Sequence, residues 1–319
     1  MVSESGQVQW EKLIEAFLFS RRALGVSEGT YELYRSRLKV FFDFHVQASL
    51  SCNSPLDCTP SCIQSFFVYL QNNGRRLTTV FGYFRELRTF FRWLQEIGFR
   101  QDNPMARIKP PKPEEPLPRT VTEEHFLATI KQLNPKDPIQ LRWLTLFTLL
   151  FDTGARLGEA LNLQVKDVDL QNRLIKVKGK GRKERIVPFG TKTASLLARH
   201  LAVLIAQKGR LDDDDLVFQT STGQRLCKRN VFRTWVRLQK KAGLKPLPIH
   251  GLRHGFARIW LLSGGDAFSL QIILGHSDPT VTQKYVTLWA SDLQRKHALH
   301  SPIDRILKKK ADSHTVVIG

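Results

Sequence analysis

Cysteine is scarce in this sequence, with 4 among 319 residues, and this excludes a small domain held together by a disulfide framework. Cys52, Cys58 and Cys62 lie near one another along the chain, whereas Cys227 lies far away. Their spacing, C-x5-C-x3-C, is not that of a zinc-ligand set. The sequence therefore predicts ordinary reduced thiols and no metal site.

Long apolar runs and an export signal are also lacking. The longest apolar stretch, residues 144–151, is far shorter than the roughly 20 residues that a membrane-spanning helix needs. The first twelve residues, MVSESGQVQWEK, are polar and contain no basic segment followed by an apolar one. We therefore expect a cytoplasmic protein that does not associate with a membrane.

Signatures of several enzyme classes are absent as well. The sequence contains no G-x-x-x-x-G-K-[ST], no H-E-x-x-H and no G-x-S-x-G motif. His250 and His254 have the i, i+4 spacing of half a metal site, but Arg253 lies between them and its charge would repel a metal ion. The chemistry is expected to involve neither a metal ion nor a cofactor.

Acidic residues are few compared with basic ones. The chain has 49 Lys and Arg against 29 Asp and Glu, which gives a net charge of +20. A folded protein with 42% hydrophobic residues and so large a positive charge most often binds a polyanion, and nucleic acid is the first candidate.

The pattern of apolar residues predicts two domains. Residues 1–103 contain only amphipathic helical patterns, of which the strongest covers residues 77–97. On the other side of that helix, Arg85, Arg88 and Arg92 recur at i, i+3 and i+7, and they form either a solvated face or a DNA contact. Six of the 15 prolines fall in residues 104–118, which therefore form an extended linker.

Residues 119–319 are predicted to form a second, mixed domain. A helix begins after Thr122, residues 141–150 form a buried helix, and residues 173–188 (RLIKVKGKGRKERIVP) form a basic β-hairpin. Arg182 and Lys183 on this hairpin are expected to contact DNA. The predicted fold class is thus mainly α with a small antiparallel β-sheet.

Four segments of this second domain hold polar residues beside glycines: TGARLGEAL, KGKGRKERIVP, HGLRHGFA and LGHSDPTVTQKY. Each has an ordinary structural interpretation when taken singly, such as an ion pair between Arg156 and Glu159. Together and in this order they resemble the tyrosine recombinase (phage integrase) family, at its usual spacings. The matching residues are Arg156, Lys180, His250, Arg253, His276 and Tyr285.

The resemblance implies a Xer-like or transposon-encoded site-specific recombinase. Its two domains would be a helical, SAM-like core-binding domain at residues 1–103 and a catalytic domain at residues 119–319, which form a C-shaped clamp on DNA. The reaction would transfer a DNA phosphodiester to a tyrosine, leaving a 3′-phosphotyrosyl bond and a free 5′-hydroxyl. Because one phosphodiester replaces another, neither ATP nor a metal ion is required.

The resemblance also implies a role for each residue. Tyr285 would be the nucleophile, Lys180 the general acid, and His250 the group that assists deprotonation of Tyr285. His276 would donate a hydrogen bond to the scissile phosphate. The two arginines, Arg156 and Arg253, suit the non-bridging phosphate oxygens because guanidinium groups are planar and permanently charged.

The expected partner is double-stranded DNA with an inverted-repeat core site, bound by a homotetramer whose free form is a monomer or weak oligomer. Ser301 and Pro302, followed by Ile303, Ile306 and Leu307, predict a short terminal helix. This helix docks either on its own domain or, as the family implies, on a neighbouring protomer. Two alternative functions remain open: a type IB topoisomerase-like enzyme and a non-catalytic DNA-binding protein.

Overall fold

The computed structural model describes residues 4–47, 52, 54–112, 118–179, 184–276, 301 and 303. The chain divides into two compact units, Met1–Pro116 (the amino-terminal unit) and Leu117–Gly319 (the carboxy-terminal unit). Four of the predicted site residues lie outside the described residues: Lys180, Arg182, Lys183 and Tyr285. Of the predicted terminal helix, only Ser301 and Ile303 are described.

In its described part, the amino-terminal unit contains four α-helices: α1 (Glu4–Ala23), α2 (Glu28–Gln47), α3 (Pro60–Asn72) and α4 (Leu77–Glu96). A short 3-10 turn, Pro55–Asp57, precedes α3. Helix α3 begins as its sequence predicts, because the Thr59 hydroxyl accepts a hydrogen bond from the Cys62 amide at 3.3 Å and Pro60 occupies the first turn.

The core of this unit consists largely of aromatic rings. Its largest fully buried side chains are Trp10, Phe17, Phe41, Phe66, Phe90 and Phe91. Helix α4 buries the central residues of the apolar pattern predicted over residues 77–97, and Tyr83, Phe90 and Trp93 are buried as well. The ends of this pattern, Leu77 and Ile97, are exposed because Leu77 begins the helix and Ile97 follows its last residue.

The described part of the carboxy-terminal unit contains seven α-helices and a small sheet. The helices are α5 (Glu123–Ile130), α6 (Pro138–Thr153), α7 (Leu157–Leu161), α8 (Thr191–Lys208), α9 (Lys228–Lys241), α10 (Gly251–Leu262) and α11 (Ala267–Leu274). The strands are β1 (Val168–Asp169), β2 (Leu174–Lys178) and β3 (Glu184–Pro188), in the order β1-β2-β3 and antiparallel throughout. This confirms the predicted fold class, mainly α with a small antiparallel sheet.

Helix α6 lies at the centre of the carboxy-terminal unit and packs against α8 and α10. It starts earlier than the predicted residue 141, because the Asp137 carboxylate accepts a hydrogen bond from the Gln140 amide at 2.8 Å and Pro138 follows the cap. Leu146, Phe147 and Leu149 on α6 are fully buried. None of the helices in the described ranges combines the length and apolar character required to cross a bilayer.

Candidate active site

The segment that follows α6 brings the carboxyl ends of two helices together. Gly154 ends α6 with a φ of +62°, a conformation that residues with a side chain rarely adopt. A Cβ atom at this position would lie 2.5 Å from Phe256 of α10 and 2.7 Å from Leu274 of α11. Glycine therefore permits the close approach of α10 and α11 to the residues just before Arg156.

Arg253 of α10 ties these helix ends together. Its Nη1 donates to the carbonyl of Gly154 at 2.7 Å, and its Nη2 donates to the carbonyl of Leu274 at 2.8 Å. Carbonyls at a helix end have no intrahelical partner and carry partial negative charge, so a guanidinium is well suited to them. Arg253 is only 2% exposed, and it holds the segments that carry Arg156 and His276 in place.

His276 has a defined tautomer because of its contact with Arg253. Its Nε2 lies 2.8 Å from Arg253 Nη2, and a guanidinium can only donate, so Nε2 accepts and the ring proton is on Nδ1. Burial, followed by the charges of Arg253, Arg156 and Arg185, lowers the pKa of His276 to about 4. The ring is thus neutral near pH 7, and its Nδ1–H is of the correct type to donate to a phosphate oxygen.

His250 lies at the start of α10, where the helix packs closely against the backbone of residues 119–121 of the carboxy-terminal unit. A Cβ atom on Gly251 would lie 2.6 Å from the carbonyl of Arg119, and one on Gly255 would collide with the carbonyl of Val121. Although His250 is partly open to solvent, desolvation of its ring lowers its pKa, and Arg253 and Arg156 lower it further. A neutral imidazole of this kind can accept a proton.

Arg156 stands at the amino end of α7, and its ion pair with Glu159 is formed. The two side chains are 3.0 Å apart, and 42% of the arginine side chain remains exposed. The Glu159 carboxylate also accepts a hydrogen bond from the Arg156 amide at 2.8 Å. The ordinary structural interpretation of Arg156 is therefore correct, and it leaves part of the guanidinium accessible.

Sequence reasoning missed Arg185, a second arginine beside this carboxylate. Its guanidinium donates to both Glu159 oxygens, at 2.9 and 2.8 Å, and its Nε donates to the carbonyl of Ile273 at 2.7 Å. Burial opposes ionisation of Glu159, but the hydrogen bonds from Arg185 and Arg156 outweigh it and lower its pKa. The signal was present in β3, because Arg185 alternates in phase with the buried Val187 and so faces inward.

These contacts assemble four of the six predicted catalytic residues into one site, which we call the arginine–histidine site: Arg156, His250, Arg253 and His276. With Arg185, the site contains three arginines and one carboxylate, Glu159, which pairs with Arg156 and Arg185, so positive charge is in excess. A site with planar cations and neutral imidazoles suits a phosphodiester. Lys180 belongs to the connection between β2 and β3, and both it and Tyr285 lie outside the described residues.

The structure places the three predicted DNA contacts of α4 on a surface. Arg85, Arg88 and Arg92 are exposed along one side of α4, and Arg85 is 3.8 Å from the buried Glu86. Exposure is compatible with both interpretations of this face. Within the described ranges, the cluster with metal-ligand atoms lies in the amino-terminal unit and not at the arginine–histidine site.

Comparison with known proteins identifies the family to which this chain belongs. The family model described as "Phage integrase family" matches residues 119–291. The chain is 30% identical to "Tyrosine recombinase XerD" of Listeria monocytogenes serotype 4b over 276 residues, which cover 86% of this chain and 93% of that protein. It is 33% identical to "Tyrosine recombinase XerC" of Thermodesulfovibrio yellowstonii, over 82% of this chain and 86% of that protein.

Among solved structures, the XerH site-specific recombinase bound to palindromic difH substrate superposes with a TM-score of 0.71. It is 23% identical, and the match covers 93% of this chain and 85% of that one, so it shows a shared fold. The family predicted from the four motifs is confirmed. The chain belongs to the phage integrase family and is a tyrosine recombinase, an enzyme that cleaves and rejoins DNA.

Proposed function

We propose that this protein recombines two DNA duplexes at a defined inverted-repeat core site, as a homotetramer in which Tyr285 of each protomer cuts one strand. The observation that carries the proposal is the bonding of Arg253, which joins the segments of Arg156 and His276 into one cationic site. The relatives named above are tyrosine recombinases, and their similarity over most of the chain supports the same use of this site.

In the proposed reaction, the phenolic oxygen of Tyr285 attacks the scissile phosphorus, and the bond from phosphorus to the 5′-oxygen breaks. The phenolic proton passes to His250, whose lowered pKa keeps it able to accept one. Lys180 donates a proton to the leaving 5′-oxygen. Religation is the reverse step, with a 5′-hydroxyl from the partner duplex as the nucleophile.

The charge that develops on the non-bridging oxygens would be met by Arg156, Arg253 and His276. Preorganised donors of this type stabilise such charge because they need not reorient during the reaction. Arg156 is the more accessible of the two arginines, and we assign it the direct contact with phosphate. We assign His276 a hydrogen bond from Nδ1–H to the same phosphate.

Duplex DNA is the proposed partner of both units. Phosphates on either side of the cleavage point would be contacted by basic side chains: Arg85, Arg88 and Arg92 of α4, and Arg182 and Lys183. Contacts of this kind supply most of the affinity and make it depend on salt. We place the reaction in the cytoplasm, in keeping with the sequence prediction.

A nicked core site that traps cleaved product tests the proposal. Wild-type protein should form a covalent adduct with this DNA, and Tyr285→Phe should bind the site normally but form no adduct, because only the nucleophilic oxygen is removed. Adduct formation by the variant would place the nucleophile elsewhere. Strand joining between two labelled sites should also occur, whereas nicking and resealing within one site alone would indicate a type IB topoisomerase-like enzyme.

The tetramer is tested by removing the terminal segment. We propose that residues 301–319 bind a neighbouring protomer. Truncation before Ser301 should therefore leave binding to a single half-site nearly intact, while cooperative filling of the full site and recombination fall sharply. If the truncated protein recombines at the full-length rate, or fails to bind even one half-site, the segment docks on its own domain.

A further inference from the structure

The amino-terminal unit contains a cluster of sulfur and imidazole groups that plays no part in the proposed reaction. His45 lies near the end of α2, Cys52 and Cys58 flank the turn before α3, and Cys62 lies in the first turn of α3. We call these four residues the thiol cluster. His45, Cys52 and Cys58 are each at most 1% exposed, and Cys62 is 8% exposed.

The ligand atoms of three of these residues already lie close together. The ring nitrogen of His45 and the Sγ atoms of Cys52 and Cys58 are all within 4.8 Å of one another, and the Cys58 Sγ is 3.8 Å from His45 Nε2. A tetrahedral zinc ion, with Zn–S near 2.3 Å and Zn–N near 2.0 Å, holds its ligand atoms about 3.5 to 3.8 Å apart. The cluster needs to contract by only about 1 Å to reach that geometry.

His45 is oriented as a metal-ligating histidine would be. Its Nδ1 lies 2.9 Å from the carbonyl of Phe41, which can only accept, so Nδ1 carries the proton. The lone pair of Nε2 is therefore directed at the thiols. A backbone carbonyl that fixes the tautomer in this way is the usual outer partner of a zinc-binding histidine.

Cys62 is the candidate for the fourth ligand, and its Sγ must move further than the others because it lies outside the group of atoms within 4.8 Å of one another. The Cys52 thiol interacts with the thiols of both Cys58 and Cys62. The Thr59 hydroxyl, which caps α3, lies 3.2 Å from the Cys62 Sγ and holds this side chain beside the others. The four groups thus come from the end of one helix, a turn and the start of the next helix.

The surroundings can also accommodate the charge of such a centre. Zinc with three thiolates and a neutral imidazole carries a net charge of −1. The side chain of Arg100 is 9% exposed, and its guanidinium donates to the carbonyls of Pro55 (3.0 Å) and Leu56 in the turn that links Cys52 to Cys58. Arg100 also pairs with the exposed carboxylate of Asp102 at 2.7 Å, and its buried charge next to the turn partly compensates a buried anionic centre.

From this geometry we infer that the amino-terminal unit binds one zinc ion, with Cys52, Cys58, Cys62 and His45 as ligands. Spacing along the chain fits a zinc site only in part, because Cys58 and Cys62 have the three intervening residues usual for a ligand pair, whereas Cys52 and His45 lie further away and the histidine precedes the cysteines. The fold brings His45, at the end of α2, close to the thiols although it lies far from them along the chain. Binding would release the thiol protons to solvent and stabilise this unit.

Metal content and cobalt spectroscopy of the full-length protein test the inference without any assay of recombination. Protein purified without chelators should contain about one zinc per chain. Replacement of zinc by Co²⁺ should give the visible absorption of tetrahedral cobalt, with charge-transfer intensity corresponding to three thiolates. Protein that retains no zinc and gives no such absorption on titration with Co²⁺ would overturn the inference.

Three variants assign the ligands. Cys58→Ser and His45→Gln should each bind zinc at least about 100-fold more weakly in competition with a chromophoric chelator, because loss of a direct ligand costs more than the 10 to 100-fold typical of an outer partner. Cys227→Ser is the matched control, because Cys227 is an exposed thiol of the other unit, and its affinity should be unchanged. Equal weakening in the control, or a disulfide between Cys52 and Cys58 in freshly purified protein, would refute the site.

A buried variant can fail to fold, so a second measurement uses the wild-type chain alone. Removal of zinc by a chelator should lower the unfolding temperature of the amino-terminal unit and leave the transition of the carboxy-terminal unit in place. Added Zn²⁺ should restore it. A chelator that shifts neither transition, or both equally, would contradict a structural zinc ion in this unit.

Discussion

The two units of this recombinase differ in the kinds of side chain that they bury. The interior of the amino-terminal unit consists mainly of aromatic rings packed edge to face, such as Phe17 against Phe90 at 5.3 Å between centroids. In the carboxy-terminal unit, helix α6, which is buried along most of its length, ends at polar contacts, where Arg253 and Glu159 are both almost entirely buried. The first unit is stabilised mainly by buried apolar area, and the second places charged groups at helix ends, where we propose that a substrate phosphate binds.

This difference has an energetic meaning. Removing an apolar group from the first core costs its transfer free energy and leaves a cavity. Removing one partner from the buried polar set of the second leaves carbonyls or a carboxylate without a donor, which costs more per atom. Function and stability should therefore be separable in the amino-terminal unit but coupled around Arg253.

The largest expected effect concerns the chemical step in the carboxy-terminal unit. Lys180→Ala should slow cleavage of normal DNA by about 10² to 10⁴-fold, the usual contribution of a general acid. The defect should shrink on a substrate whose leaving 5′-oxygen is replaced by sulfur, because a thiolate leaves without a proton. Rates of adduct formation on the two substrates measure this, and equal defects would rule out the general-acid role.

Next in size is the coupling of function to stability at Arg253. Arg253→Lys keeps the charge but cannot bridge the carbonyls of Gly154 and Leu274, so adduct formation should slow by about 10² to 10³-fold. The free energy of unfolding of the carboxy-terminal unit should also fall by about 2 to 4 kcal/mol, from two charge-assisted hydrogen bonds.

The matched control is Arg156→Lys, since this side chain is 42% exposed and pairs with Glu159 on the next turn. The Arg156→Lys variant should cleave DNA slowly, while its free energy of unfolding in urea should change by less than about 1 kcal/mol. If both variants lose stability equally, Arg253 has no special place in holding the helix ends.

How much of this could be predicted differs between the two units. The helical periodicity in the first hundred residues predicts α1 to α4, because a stripe of apolar residues is a local signal. In the second unit, the motifs identified Arg156, His250, Arg253 and His276 through their resemblance to a family. Their bonding to Gly154 and Leu274 depends on contacts between residues 99 and 21 positions apart, which no periodicity reports.

The same limit explains the two features that sequence reasoning did not find. Arg185 looked like one more cation of a basic hairpin, and its role follows from Glu159, which lies 26 residues earlier. His45 was not grouped with the cysteines, because its distance of 13 residues from Cys58 exceeds the usual ligand spacing. The positions of Arg185 and His45 both depend on tertiary contacts between helices and strands that are distant in sequence.

A smaller effect tests whether the amino-terminal unit shares in DNA binding. Replacement of Arg85, Arg88 and Arg92 with Gln should weaken binding at every sequence and reduce the salt slope of log K by about 0.9 for each lost phosphate contact. The core should be unaffected, because all three side chains are exposed on α4. Filter binding or fluorescence anisotropy at several salt concentrations measures the slope.

A second triple variant controls for the loss of net charge. Arg22, Arg35 and Lys39 are exposed on α1 and α2, and each pairs with a carboxylate of its own. Their replacement with Gln should change the slope little. If the two triple variants behave alike, the α4 arginines form only a solvated face.

The smallest expected effect is the contribution of one buried histidine of the carboxy-terminal unit, His200, to the pH dependence of stability of that unit. His200 is 1% exposed, and its Nε2 lies 2.9 Å from the carbonyl of Val217. Burial lowers its pKa from 6.5 to about 4, against the hydrogen bond to Val217, and Arg142 contributes in the same direction as burial. In the unfolded chain this histidine takes up a proton below pH 6.5, while in the folded unit it does so only near pH 4. Unfolding therefore binds a proton in that window, and the free energy of unfolding falls with falling pH by up to about 1.4 kcal/mol per pH unit.

The urea midpoint of the carboxy-terminal unit should thus decrease from pH 7 to pH 5. The side chain of His200→Asn can still donate a hydrogen bond but does not titrate, so the pH dependence of the free energy of unfolding should be smaller by about one proton in this variant. Glu159, whose pKa is lowered, adds its own loss only in more acidic solution, so measurements above pH 5 isolate the histidines. An unchanged slope in the variant would mean that His200 is protonated in the folded protein.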